Sequence, residues 1–128
     1  MKSKLNKVLI VAILSVLVLT ACGAVSQVTA VSDAGKAFMT ALRDGDHQAS
    51  WDMLTQTVKD EVGSYDGWVA FATPRNFSTF SFTSNSIKNN EAQLDGEASL
   101  NGETYTVTLV FDKTGDAWLV SGINFALK

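Results

Sequence analysis

Few residues of this chain could do chemistry, and the sharpest candidate is its single cysteine. Cys22 follows Leu19-Thr20-Ala21, at the end of an apolar run from Val8 to Leu19 that only Ser15 interrupts. One cysteine cannot form an internal disulfide, so the fold must rest on packing. As a metal ligand or nucleophile Cys22 would need partners, and His47 is the only histidine. His47 beside Asp46 or Asp52 is the one acid–base dyad that the spacing offers. The sequence carries no Gly-rich phosphate loop, no Ser-His-Asp order and no metal-ligand spacing.

Lys2, Lys4 and Lys7 precede the apolar run, and two small residues precede the thiol. At about 12 residues the run is shorter than the roughly 20 that a membrane-spanning helix needs. With the Leu-Thr-Ala-Cys box, residues 1–23 resemble a bacterial lipoprotein signal. The resemblance implies cleavage before Cys22 and a diacylglycerol joined to its sulfur through a thioether. It divides the chain into a signal peptide at 1–21, a lipidated tether at 22–31 and one domain at 32–128. It also implies a lipid-anchored protein on the cell membrane or outer membrane, facing away from the cytoplasm. The uncharged, small-residued stretch Ala24 to Val31 reads as a short tether.

The net charge of −3 understates the acidity, because three lysines belong to the signal. The remainder, with seven basic against 13 acidic residues, carries about −6. Its basic residues are scattered, so a nucleic-acid partner is not expected. A single proline and nine glycines argue against low complexity.

The elements that must position any site fall into two halves. Ser32 or Asp33 is placed to cap a first helix with apolar positions Ala34, Ala37, Phe38, Ala41 and Leu42, which Gly45 would end. Asp46 would cap a second, with Ala49, Trp51, Leu54, Val58 and Val62 in a stripe closed by Gly63. A third, short one is expected around Asp66 to Ala72, ending before Thr73-Pro74.

Strands follow. Asn101-Gly102 between alternating runs predicts a type I′ hairpin. Counting outward pairs Ala98 with Tyr105, Gly96 with Val107, Leu94 with Leu109 and Ala92 with Phe111 on an apolar face. Asp95 and Glu97 then fall on the polar face. A second turn through Lys113-Thr114-Gly115-Asp116 would set Phe111 against Trp118 and Leu109 against Val120. Near Gly122 the alternation slips towards Ile123, Phe125 and Leu127, the mark of a β-bulge. An earlier strand, about Phe77 to Ile87, has no clear register, since Ile87 breaks the parity of Phe80 and Phe82.

Helices followed by a curved antiparallel meander of about four strands make an α+β class. The segments AGKAFMTALRDGD, WDMLTQTVKDEV and GDAWLVSGINF resemble, in order and spacing, the nuclear transport factor 2-like fold, also called cystatin-like. The resemblance implies a cone-shaped space between the helices and the concave sheet. Phe38, Trp51, Trp68, Phe71, Tyr105 and Trp118 are the candidates to line it. Some members of the fold are enzymes, such as ketosteroid isomerase-like proteins that use carboxylates and a tyrosine. Here the inward row of the sheet is apolar, and Tyr105 is its one polar tip. The expectation is a non-catalytic module that meets a small apolar ligand or an envelope protein, with no cofactor. The alternative is an isomerase- or hydrolase-like enzyme of the same fold. A homodimer through the outer row Thr104, Thr106, Thr108, Val110 and Leu119 is the remaining partner expectation.

Overall fold

The structure is a computed structural model that describes residues 27–128, so the signal-like segment and Cys22 lie outside the described residues. Helix α1 spans 27–44 and turns a row of Val31, Gly35, Phe38, Met39 and Leu42 inward. These positions recur at the three- and four-residue steps of one helix face. The helix therefore reaches further towards the N-terminus than a cap at Ser32 or Asp33 would allow. Residues 27–31 of the expected tether are helical, and Val31 is fully buried. Burying Val31 extends the apolar stripe by one turn and outweighs the local capping preference. Met39 takes the inward position and Ala37 is exposed, a correction to the stripe read from the sequence.

Gly45, at φ 71°, stops α1. Its N–H donates to the Leu42 carbonyl and that of Asp46 donates to the Ala41 carbonyl, the paired bonds of a Schellman end. Asp46 then starts the next helix, α2 (His47–Asp52), by accepting from the Ala49 N–H through Oδ1. Two residues thus end one helix and begin another.

The expected single helix from Asp46 to Gly63 is two. After α2 the chain extends through Leu54, which bridges in parallel to Val120 of the last strand. The Thr55 N–H donates to the Val120 carbonyl at 2.9 Å, and the Val120 N–H donates to that of Met53 at 2.8 Å. Thr55 restarts the chain as α3 (Gln56–Val62), its hydroxyl accepting from the Val58 N–H. Backbone bonding to a strand has displaced helical continuity here, because it buries Leu54 while the Met53 carbonyl and the Thr55 N–H on either side of it find partners. Ser64 caps α4 (Tyr65–Ala72), and a 3₁₀ turn at Thr73–Arg75 leads into the sheet.

Strands β1 (Thr79–Lys88), β2 (Glu91–Leu100), β3 (Glu103–Thr114) and β4 (Ala117–Leu127) form one antiparallel sheet in sequence order. The β2–β3 register is the one counted from Asn101-Gly102, and both turn residues have positive φ, 53° and 80°. The β3–β4 turn differs from expectation. Its loop is Gly115-Asp116, so Phe111 lies opposite Val120, and Trp118 lies opposite Lys113. That is a shift by two residues, which keeps every inward residue inward. The bulge near Gly122 is present: Val110 pairs with Gly122 and Phe111 with Val120, leaving Ser121 as the extra residue.

A second bulge settles β1. Phe82 pairs with Gly96 but Ser84 with Asp95, so Thr83 is unpaired and the parity flips between Phe82 and Ile87. Phe80, Phe82 and Ile87 therefore all pack towards the core. Helix α1 lies on this inner face: a side chain on Gly35 would run into Leu94 and Phe82. The core between helices and sheet is made of Val31, Phe38, Met39, Leu42, Leu54 and Trp68 against Leu94, Val107, Leu109, Phe111 and Val120.

Candidate functional site

Trp68, 1% exposed, is the centre of the helical half. Its indole N–H donates to Ser50 Oγ at 2.8 Å, and the Ser50 hydroxyl donates onward to the His47 carbonyl at 3.1 Å. Ser50 is itself fully buried. The Trp68 ring stacks on Phe71 with centroids 5.3 Å apart and lies 6.1 Å from Phe38. Arg75 closes the outside of this stack, its guanidinium 3.9 Å from the Phe71 ring centre and bonded to the Phe71 carbonyl. Three of the six candidate lining residues, Phe38, Trp68 and Phe71, therefore meet, and they meet one another.

The other three make separate contacts. Trp51 is half-buried on α2, edge-on to Tyr65 at 5.9 Å, with Lys59 Nζ 5.4 Å from its ring. Tyr105 packs edge-on against Phe77 at 5.5 Å, and its hydroxyl points to Glu103 at the rim. Phe77 is also 4.9 Å from Phe125, so this aromatic trio closes one end of the sheet. Trp118 is buried on β4, with Lys113 Nζ 6.0 Å from its ring.

The carboxylates that could move protons lie away from the core. Asp46 Oδ1 is occupied by the Ala49 N–H, and Asp52 accepts from Gln48 Nε2 at 2.8 Å. His47 Nδ1 is buried without a hydrogen-bond partner. The His47–Asp dyad that the spacing offered is thus not assembled. Asp95 sits on the outer face, where it accepts from Thr108 Oγ1 at 2.9 Å and from Gln93 Nε2 at 3.0 Å. Among the described residues, no group of three or more His, Cys, Asp and Glu side chains could hold a metal ion.

One surface feature was not read from the sequence. The β1–β2 turn and the end of β3 frame an open cleft of about 600 Å³, lined by Lys88, Asn89, Asn90, Glu91, Asp112, Lys113 and Thr114. The Lys113 N–H donates to the Asn90 carbonyl at 2.8 Å and ties the two turns together. The meeting of Lys88 to Glu91 with Asp112 and Lys113 depends on the β2–β3 register, in which Glu91 lies opposite Asp112.

No family model and no curated protein matches the sequence. Solved structures do match the architecture. An NTF-2 like protein of unknown function from Silicibacter pomeroyi superposes with a TM-score of 0.65, at 14% identity, over 82% of this chain and 98% of that one. Another of the same description, from Shewanella oneidensis, gives 0.58 at 17% identity, covering 77% and 98%. The fold is nuclear transport factor 2-like. A DUF4783 family protein from Bacteroides uniformis aligns at 0.55 and 12% identity, over 73% of this chain and 95% of its own.

This NTF2-like domain combines short helices with a four-stranded meander in the order the sequence implied. Its inner face presents Ala92, Leu94, Gly96 and Ala98 from β2, and Val107, Leu109 and Phe111 from β3, all buried. No helix of the described residues is long and apolar enough to cross a membrane.

Proposed function

We propose that the chain is a lipid-anchored module on the extracytoplasmic side of a membrane, and that it acts by binding a partner and not by catalysis. The supporting observation is the character of the interior. Among the described residues the fully buried polar side chain is Ser50, its hydroxyl already committed to Trp68 and His47, and the buried His47 Nδ1 has no hydrogen-bond partner with which to relay a proton. General acid–base chemistry needs a titratable group in a desolvated site within reach of a substrate. Every carboxylate of the described residues is exposed or half-buried, on helix surfaces, at turns or on the outer sheet face. The stack of Phe38, Trp68 and Phe71 fills space between helices and sheet with rings of the protein itself, which favours a partner met at the surface.

The anchor rests on the Leu-Thr-Ala-Cys box. In the step it implies, the Cys22 sulfur forms a bond to the diacylglycerol carbon of a glycerophospholipid. The bond from that carbon to the phosphate oxygen breaks, and the thiol proton leaves with the phosphorylated headgroup. Lipid chains bind at about 0.8 kcal/mol per buried methylene, so a diacyl anchor holds durably where one chain does not.

The test is native mass spectrometry of the full-length protein, released in mild detergent from bacterial membranes. The expected result is a diacylglyceryl increment on Cys22, together with a co-released envelope protein. An unmodified Cys22 removes the anchor from this reading. A small-molecule substrate turned over by the same preparation overturns the non-catalytic part.

A further inference from the structure

We infer that the first turn of α1 is held at the lipid headgroup layer, so that the domain works pressed to the membrane and does not stand off from it. The inference rests on the reading of Cys22 as the lipid anchor. Its occupant is a lipid surface, and three observations point there.

The first is reach. Only Gly23 to Ser26 separate Cys22 from Gln27, where the described helix is already formed. Five peptide steps of about 3.6 Å limit the two Cα atoms to roughly 18 Å apart, whatever the conformation between them. The polar layer of one leaflet takes up roughly 6 Å of that span. Helix α1, 18 residues long over 27–44, measures about 27 Å at 1.5 Å per residue. The leash is thus shorter than the helix it holds.

The second observation is that the rest of the described residues leave this turn open. Gln27, Val28, Thr29 and Ala30 are all exposed, and four consecutive positions exceed the 3.6 residues of a full turn. Val28, 43% exposed, is one of three large apolar side chains left in the open among the described residues. From Val31 onward the helix is packed on the sheet, so the turn projects past the part that the domain covers.

The third is charge. No charged residue occurs from Gly23 to Ser32, and Asp33 is the first. The rest of the domain is strongly acidic, and an acidic surface is repelled by anionic lipid within a Debye length of about 8 Å. An uncharged turn is the part of such a domain that can rest on the headgroups without that cost.

The test uses the full-length lipoprotein. If Cys22 is consumed as a thioether, a cysteine introduced elsewhere is the one free thiol. Val28→Cys and, at the other end of the same helix, Asp44→Cys are each labelled with a fluorophore. The labelled proteins are reconstituted into phosphatidylcholine–phosphatidylglycerol vesicles carrying headgroup nitroxide quenchers. Mass spectrometry of the N-terminal peptide establishes the lipid on Cys22 in the same samples. Quenching several-fold stronger at position 28 than at position 44 is the expected result. Equal quenching at the two positions, with the lipid present, overturns this inference and leaves the anchor standing. A peptide without lipid overturns the anchor and this inference with it.

Discussion

The indole N–H of Trp68 reaches Ser50 Oγ at 2.8 Å, and this buried bond joins α4 to α2 across 18 residues of sequence. Ser50→Ala leaves the indole donor buried and unpaired, which costs about 1–3 kcal/mol. The expected outcome is a lower urea midpoint with an unchanged m-value. Trp68→Phe on the Ser50→Ala background should cost less than the sum of the two single changes, because the second substitution removes the orphaned donor. Additive effects in that double-mutant cycle would show that the bond carries no coupling.

Gly96 stands opposite the Thr83 bulge, where a Cβ would overlap the Ser81 carbonyl oxygen. The obstacle is backbone in a neighbouring strand, which cannot swing aside as a side-chain end can. Gly96→Ala should therefore destabilise the domain by about 3 kcal/mol. Gly35→Ala meets only the tips of Leu94 and Phe82 and should cost less. Thermal unfolding of the two variants side by side checks the order, and a reversed ranking would falsify the assigned β1–β2 register.

Phe77 precedes β1 and is buried between Tyr105 of β3 and Phe125 of β4. Phe77→Ala opens a cavity at the end of the sheet and should cost about 3–5 kcal/mol. Hydrogen exchange should speed up first near Tyr105 and Phe125. Uniform acceleration across the domain would mean that this end does not open separately.

Asp46 serves both as the residue after the Gly45 stop and as the cap of α2. Asp46→Ala removes the acceptor of the Ala49 N–H, a loss of about 1 kcal/mol. Asp46→Asn keeps an acceptor and should recover most of it. Chemical denaturation of both variants is the measurement, and an alanine variant as stable as the parent argues against the cap.

Much of this architecture was legible where two independent signals agreed. Asn101-Gly102 supplied the positive φ values and the alternation on either side supplied the faces, so the β2–β3 register followed by counting. Ambiguity entered where one glycine served two possible turns. Gly115 fits a loop with Thr114 or with Asp116, and the two choices bury the same residues, so the inward pattern could not separate them. The β1 bulge was hidden for another reason. Thr83 is an ordinary strand residue, and the signal lay 13 positions away in Gly96, which becomes meaningful only after pairing. The break at Leu54 was masked because the stripe Trp51, Leu54, Val58 reads as one helix. The hydrogen bonds that interrupt it come from Val120, far along the chain. The six candidate lining residues were chosen by side-chain type, which could not show that Phe38, Trp68 and Phe71 would stack on one another. Nor could it show that Trp51 would meet Tyr65 edge-on and lie under Lys59, a relation set by three helix axes.

The bridge between Leu54 and Val120 has a consequence in time. A chain that emerges from its N-terminus first makes its helices with nothing to tie them to, since their backbone partner lies in β4. The long loop between these positions must close before the contact repays its entropy. The helical half should thus stay exchange-labile and open to proteases in nascent chains that stop short of Val120, and lock in one step once the last strand arrives.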